Sequence, residues 1–273
     1  MIPAAFDYAR AGSADEAVSL LVEHGDEAKL LAGGHSLLPL MKLRLAIPTV
    51  LIDVGRVPDL SYIEERDGEI AIGALARHHD LETSSLLKDQ VPLLAYTAHQ
   101  VGDPQVRHRG TLGGTLAHGD PASDLPAAVL ALGGTLVAQG PNGRREIAAL
   151  DFFQGFLETA LAADEMLVEV RVPKMPDAGW SFQKFNRRAQ DWAIVGVAAV
   201  VNGATGIALV NMGSTPLRAS AAEEAVRSGA SPADAARVAD EGTDPPGDTN
   251  ASSEYRRHLA TVLVRRALEE ATS

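Results

Sequence analysis

The chain has 273 residues, 46% of them hydrophobic and 22% charged, enough to bury a sizeable core and long enough for two or three subdomains. Its 24 Lys and Arg against 36 Asp and Glu leave a formal net charge of −12, which argues against nucleic acid or an anionic membrane surface as partner. With no cysteine, the chain can form no disulfide, no thiolate zinc site and no iron–sulfur cluster of its own.

The segment Met1-Ile2-Pro3-Ala4-Ala5-Phe6-Asp7 has no basic stretch leading into an apolar run, and nowhere does an apolar run approach the roughly 20 residues of a membrane span, so a cytoplasmic location is expected. Ser13-Ala14-Asp15-Glu16 is a capping box. It predicts a helix to about Glu23, with Ala17, Val18, Leu20 and Leu21 on its buried face and Gly25 beyond its end. Ala28 to Ala32 reads as a strand, interrupted by Gly33-Gly34. With the β-branched run Thr49 to Val54 it makes the first sixty residues a small β-α-β unit. Glu69 to Ala74 reads as another strand, and Val91 to Val101 has helical spacing. Leu125 to Leu132 is helical, then Thr135 to Ala138 a strand, then Pro141-Asn142-Gly143 a turn. Met166 to Val172 alternates as a strand and meets Pro173 and Pro176, which predict a domain boundary. Beyond it lie strands at Phe182 to Phe185, Ile194 to Val201 and Ile207 to Met212, and helices at Ala219 to Arg227, Pro232 to Asp240 and Glu254 to Glu270. In the last helix, Arg256, Arg257, Arg265 and Arg266, interleaved with apolar positions and Glu269 and Glu270, read as a solvated face.

Two glycine loops carry the functional signal: Leu30-Leu31-Ala32-Gly33-Gly34-His35-Ser36-Leu37 and Gly110-Thr111-Leu112-Gly113-Gly114-Thr115. Paired glycines leave backbone N–H groups uncovered, and neighbouring Ser and Thr hydroxyls donate to phosphate oxygens without adding charge. The two loops therefore read as jaws of one diphosphate-cofactor site, with Gly33 and Gly114 bare because the diphosphate approaches their backbone. Gly34-His35-Ser36-Leu37-Leu38 lacks the second glycine of a hydrolase nucleophile elbow, and neither the P-loop nor the three-glycine dinucleotide fingerprint occurs. His78-His79-Asp80 with Glu82 reads as a helix start whose acids answer the helix dipole, rather than as a metal site. Asp124 reads as an N-cap, as an acceptor for ribose hydroxyls, or as both. Lys184 to Ala193 gathers Lys184, Arg187, Arg188, Asp191 and Trp192 at a strand–loop transition, either a salt-bridged loop or a cluster closing over a flavin ring, with Trp192 packing and Lys184 bonding its polar edges. The residues alone stop at a nucleotide-cofactor protein.

Ala32-Gly33-Gly34-His35-Ser36-Leu37 with Leu43-Arg44 and Leu51-Ile52-Asp53, then Thr111-Leu112-Gly113-Gly114-Thr115 and Asp124, then Pro245-Pro246 through Glu254-Tyr255-Arg256-Arg257 to Arg265-Arg266-Ala267-Leu268, resemble the flavin-binding medium subunits of the molybdenum hydroxylases, the group of aerobic carbon monoxide dehydrogenase and bacterial xanthine dehydrogenase. The resemblance covers nearly the whole chain. It implies an α+β architecture: a two-subdomain FAD-binding fold of the vanillyl-alcohol oxidase (PCMH) type over residues 1–175, split near 57, and a smaller α+β C-terminal domain over 176–273. It implies non-covalent FAD, with Leu30 to Leu37 on the pyrophosphate, Val101 and Thr111 to Thr115 on the adenine side and diphosphate, Asp124 on ribitol or ribose hydroxyls, and Leu167 and Lys184 as further contacts. Thr115 departs from the Asn, Asp or Ser more common there, but it keeps a donor. The resemblance further implies a large subunit with the molybdenum cofactor and a small subunit with 2Fe–2S clusters, assembled as a dimer of heterotrimers, with electrons leaving the flavin for an external acceptor. It leaves open carbon monoxide, purine, N-heterocycle or aldehyde as substrate and quinone, NAD or oxygen as acceptor. Two other readings remain: a stand-alone flavin oxidoreductase of the same fold, which needs its own acid or base, and a non-enzymatic nucleotide-binding assembly subunit, which purifies colourless.

Overall fold

The structure, a computed structural model, describes residues 1–273. The first unit is three parallel strands with two helices: β1 (Asp7–Arg10), α1 (Ala14–His24), β2 (Ala28–Leu31), α2 (Leu37–Leu43) and β3 (Val50–Asp53), in the order β1-β3-β2. Helix α1 starts where its cap dictates. Ser13 Oγ accepts from the Glu16 N–H at 3.1 Å, and the Glu16 carboxylate reaches back to the Gly12 N–H at 2.7 Å. Ala17, Val18 and Leu21 are buried as expected, and Leu20 is half-buried. The parallel sheet points the ends of β2 and β3 toward the glycine loop that follows β2.

The second unit is an antiparallel sheet with a cluster of helices on one face. A two-residue turn, Asp67-Gly68, joins β4 (Ile63–Arg66) to β5 (Glu69–Gly73); both turn residues have positive φ, the condition for a tight hairpin. Then come α3 (His78–Thr83), α4 (Ser85–Gln90), α5 (Pro92–Gln100), α6 (Pro104–Arg107), α7 (Leu112–His118) and α8 (Asp124–Ala131). Strands β6 (Thr135–Gly140) and β7 (Gly143–Ala148), the short α9 (Ala149–Phe152), the hairpin β8 (Phe153–Gly155) and β9 (Glu158–Thr159), and the long β10 (Met166–Pro173) complete it. The sheet runs β4-β5-β10-β6-β7, with β10 buried between β5 and β6.

The third unit is a second antiparallel sheet, β11 (Gly179–Phe185), β12 (Val195–Asn202), β13 (Ala204–Val210) and β14 (Leu217–Arg218), followed by α10 (Ser220–Arg227), α11 (Pro232–Ala236) and α12 (Ser253–Ala271). Helix α12 packs on β11 and β12, and α8 on β12 and β13. At Gly206 the carbonyl of Ala131, the last residue of α8, comes to 2.0 Å from where a Cβ would stand, so only glycine admits that approach. One apolar core consequently runs through both antiparallel sheets, from Ile70, Leu94 and Leu125 to Phe182, Ala198 and Val210. No helix is long and apolar enough to cross a membrane.

Two local expectations are corrected. The opening unit has a third strand, β1, absent from the β-α-β reading because Asp-Tyr-Ala-Arg has no apolar alternation and lies mostly exposed at a sheet edge. The arginines of α12 do not share a solvated face. Arg256 is 1% exposed, and its guanidinium donates to the Ile194 carbonyl and, at 2.8 Å, to Asp248. It holds the loop before β12 and the loop before α12 together. Replacing Arg256 with Leu strands that carbonyl in the interior, and we expect a loss of about 2 kcal/mol, a drop of about 5 °C in melting temperature, measurable by calorimetry or circular dichroism.

Candidate cofactor-binding site

Eighteen residues singled out from the sequence line one cleft of about 690 Å³, a volume typical of ligand sites. The first unit supplies Leu30, Leu31, Ala32, Gly33, Gly34, His35, Ser36 and Leu37. The second supplies Val101, Thr111, Gly113, Gly114, Thr115, Asp124 and Leu167, and the third Lys184, Asp191 and Trp192. Sequence reasoning passed over other lining residues: His78, Gly110, His118 and Leu161 also face the cleft. Of these Gly110 sat in the second glycine loop and His78 in the stretch read as a helix start, and nothing local marks which wall an imidazole joins.

The two glycine loops touch. A Cβ on Gly33 would fall 2.2 Å from the Arg109 carbonyl oxygen, and one on Gly113 2.5 Å from the Ala74 Cβ. On Gly114 it would meet Thr111 Oγ1 at 2.6 Å, the oxygen that accepts from the Gly114 N–H. These glycines are therefore bare because the chain itself fills the space, a nearer cause than the approach of a diphosphate. Arg77 donates to the same Arg109 carbonyl that Gly33 abuts, pinning the seam from the second unit.

At the tip of the first loop, Gly34 has φ +81°, followed by Ser36 in the right-handed helical region. The N–H groups of Gly33, Gly34, His35 and Ser36 find no acceptor within the chain. Successive free N–H groups around a left-handed residue form a concavity that suits an anion. Four donors in a row point to a ligand with several acceptor oxygens.

Asp124 is not an N-cap: Ser123 occupies that position and Asp124 is the first residue of α8. Its side chain is buried, with Oδ2 accepting from Lys184 Nζ at 2.6 Å and Oδ1 left without a partner. Lys184 donates also to the Gln100 carbonyl at 3.1 Å. Burial pushes the Asp124 carboxyl up to about 6, although Lys184 pulls it down. An orphaned carboxylate oxygen in a cleft wall is a ready acceptor for a ligand hydroxyl. Trp192, 58% exposed, stands at the rim of the cleft.

The acids near His78 do not serve the helix dipole alone. Asp80 accepts from the Arg77 N–H at 2.9 Å, closing the start of α3. Glu82 accepts from Arg107 Nε at 2.7 Å and lies 2.8 Å from His99 Nδ1, tying α3 to α5 and α6.

Folded Asp124 keeps its proton to about pH 6, whereas an unfolded Asp loses it near pH ~3.9, so its contribution to stability is full at low pH and fades as pH rises through that window. Lys184→Met removes the compensating charge, drives the carboxyl pKa higher and extends the fade past neutrality. The deficit in melting temperature against the parent chain should be clearly larger at pH 8 than at pH 5; equal deficits would contradict the pairing.

With this geometry in view, comparison with known proteins is direct. Residues 4–175 match the FAD binding domain in molybdopterin dehydrogenase, and residues 180–271 the CO dehydrogenase flavoprotein C-terminal domain. The chain is 41% identical to the carbon monoxide dehydrogenase medium chain of Hydrogenophaga pseudoflava, with 99% of this chain and 98% of the relative covered. It is 38% identical to the 6-hydroxypseudooxynicotine dehydrogenase complex subunit alpha of Paenarthrobacter nicotinovorans, covering 99% and 96%. A solved carbon monoxide dehydrogenase from Hydrogenophaga pseudoflava contains a chain that superposes with a TM-score of 0.95 at 43% identity, covering 100% of this chain and 99% of that one. A chain of quinoline 2-oxidoreductase from Pseudomonas putida 86 does so at 0.93 and 33%, covering 99% and 98%. A chain matched end to end by medium subunits, with its FAD-binding domain built around one cleft, belongs to the FAD-binding medium subunits of the molybdenum hydroxylase family of oxidoreductases.

Proposed function

We propose that this chain is the electron-transferring FAD subunit of a heteromeric molybdenum hydroxylase. The observation that carries the reading is the pairing of four consecutive unpartnered N–H groups, Gly33 to Ser36, with the orphaned Oδ1 of Asp124 on the walls of the same cleft. The first set suits a diphosphate and the second a sugar or ribitol hydroxyl, and FAD carries both. Bound FAD supplies redox chemistry that joins one-electron carriers to a two-electron acceptor.

In this reading the backbone from Ala32 to Ser36, with Ser36, Thr111 and Thr115 as hydroxyl donors, holds the diphosphate. Val101 lines the adenine side. Asp124 orients a hydroxyl while Lys184 holds its other oxygen, and Leu167, Asp191 and Trp192 surround the ring. Residues 1–175 form the FAD-binding part and 176–273 the C-terminal domain, which lends Lys184 and Trp192 to the cleft. No residue of the cleft is assigned substrate chemistry. The relatives' names, a medium chain and a subunit of a dehydrogenase complex, support partner chains. We assign the molybdenum cofactor to a large partner and the 2Fe–2S clusters to a small one, joined as a dimer of heterotrimers; a chain without cysteine has no thiolate to hold a cluster itself.

Two measurements test this. Acid precipitation should leave yellow FAD in the supernatant, since His35 is the only loop nitrogen that invites a covalent link. Flavin retained on the pellet, or FMN in its place, contradicts the proposal. A tagged chain purified from its host should bring down two further polypeptides, with iron and acid-labile sulfide on the smaller and molybdenum on the larger. A chain that purifies alone and whose flavin is bleached by an organic substrate would replace this reading with the stand-alone flavoenzyme.

A further inference from the structure

Behind the second glycine loop, the His78 side chain is 3% exposed at the start of α3. Its Nε2 lies 3.1 Å from the Thr111 carbonyl oxygen and 3.0 Å from Thr115 Oγ1. The ring has no freedom to swing: a Cβ on Gly110 would fall 2.7 Å from His78 Cε1, and the His78 N–H donates to the Gly110 carbonyl at 3.1 Å. Nδ1 is buried and has no partner.

These contacts fix the tautomer. A carbonyl oxygen only accepts, so the nitrogen facing Thr111 must carry the hydrogen, and the buried Nδ1 keeps its lone pair. The opposite tautomer would leave a buried N–H unsatisfied and set a lone pair against a carbonyl, the costlier arrangement. Burial, with His35, Arg77 and Arg107 nearby, lowers the imidazole pKa to about 4 against the Thr111 contact that raises it, so the ring is neutral at physiological pH.

The consequence falls on Thr115. Its oxygen faces an N–H and must accept there, so its own hydrogen points elsewhere. Thr115 lines the cleft, and its hydroxyl has no acceptor within the chain. We propose that His78 is a positioning residue, whose Nε2–H, shared between the Thr111 carbonyl and the Thr115 hydroxyl, commits the Thr115 hydrogen as a donor into the cleft toward an anionic oxygen of the bound diphosphate. The inference rests on the FAD reading and deepens it. It also explains why a threonine serves at this position: the imidazole orients a rotor that is otherwise free to turn.

The test is a double-mutant cycle on FAD affinity, read by quenching of flavin fluorescence in the full chain with the partners that purify with it. Thr115→Val and His78→Leu should each weaken binding about tenfold, the scale of one hydrogen bond to a charged group. The double variant should be no weaker than either single one, because both remove the same oriented donor. His78→Gln, whose amide N–H reaches the Nε2 position, should keep parental affinity, and His78→Asn, which is one methylene shorter, should not. That pair decides the matter even if His78→Leu fails to fold. Losses that multiply in the double variant, unchanged affinity in His78→Leu, or equal affinities for Gln and Asn would each overturn the proposal. A parent protein that takes up no FAD would sink the flavoprotein reading as well, which separates the two failures.

Discussion

The arrangement of the cleft depends on one close contact, the backbone of Gly33 against the carbonyl of Arg109. The first unit ends its second strand there, and the second unit delivers the loop that opens into α7. Any side chain at position 33 would push the two loops apart, and Arg77 anchors the far side of the same carbonyl. With the seam closed, Gly34 can turn through positive φ and present four N–H groups outward beyond the ends of β2 and β3. Ligands of open parallel sheets gather at the carboxyl ends of the strands, and this small sheet follows that rule although its loop lacks the dinucleotide fingerprint. The donors are backbone atoms held by packing and need little reorganisation when an anion arrives.

A second tie closes the cleft from the other side. Lys184 on β11 and Asp124 on α8 are both buried and meet at 2.6 Å, across the boundary suggested by Pro173 and Pro176. A buried ion pair adds little net stability, because desolvation opposes the attraction, yet losing one partner is costly. Its effect here is positional. It holds the carboxylate with one oxygen engaged and the other free. The core that runs from the central sheet into the C-terminal sheet makes this a rigid attachment rather than a hinge.

The elements with strong periodicity were legible from the residues: the capped α1, the helix at Pro92–Gln100, the strands at Met166–Pro173 and Val195–Asn202, and the amphipathic Ser253–Ala271. The cleft residues were legible because glycine pairs and hydroxyls form local signatures, and the positions quoted from both loops, the buried Leu112 excepted, lie on one wall or another of the same cavity. What escaped is non-local. Arg256 reads as one more surface arginine until the chain brings the Ile194 carbonyl, distant in sequence, against it. Asp124 reads as a cap because the pattern Ser-Asp-Leu-Pro fits a helix start at either residue; its partner Lys184 is set by the docking of β11. His78 reads as the start of a helix, correctly, and nothing local reveals that its ring points back under a loop some thirty residues later. Glycine is the mixed case, since Gly33 and Gly114 announce a tight place but not whether the neighbour is ligand or chain.

The charge state of the cleft follows from these same contacts and bears on its task. The cleft offers an anion N–H dipoles and hydroxyls rather than a free ammonium at Lys184, which is already paired with Asp124. His78 is held neutral with a pKa near 4, and the Asp124 carboxyl, with a pKa of about 6, has given up its proton by neutral pH. Above neutrality the cleft therefore presents a neutral imidazole and, at Asp124, predominantly the carboxylate. Below pH 6 the protonated Asp124 weakens its hold on Lys184 and becomes a poorer acceptor for a hydroxyl. A site of this kind offers a ligand fixed dipoles and one oriented carboxylate. Fixed dipoles of that sort suit a chain whose family binds FAD, since they hold a charged cofactor without titrating when it enters.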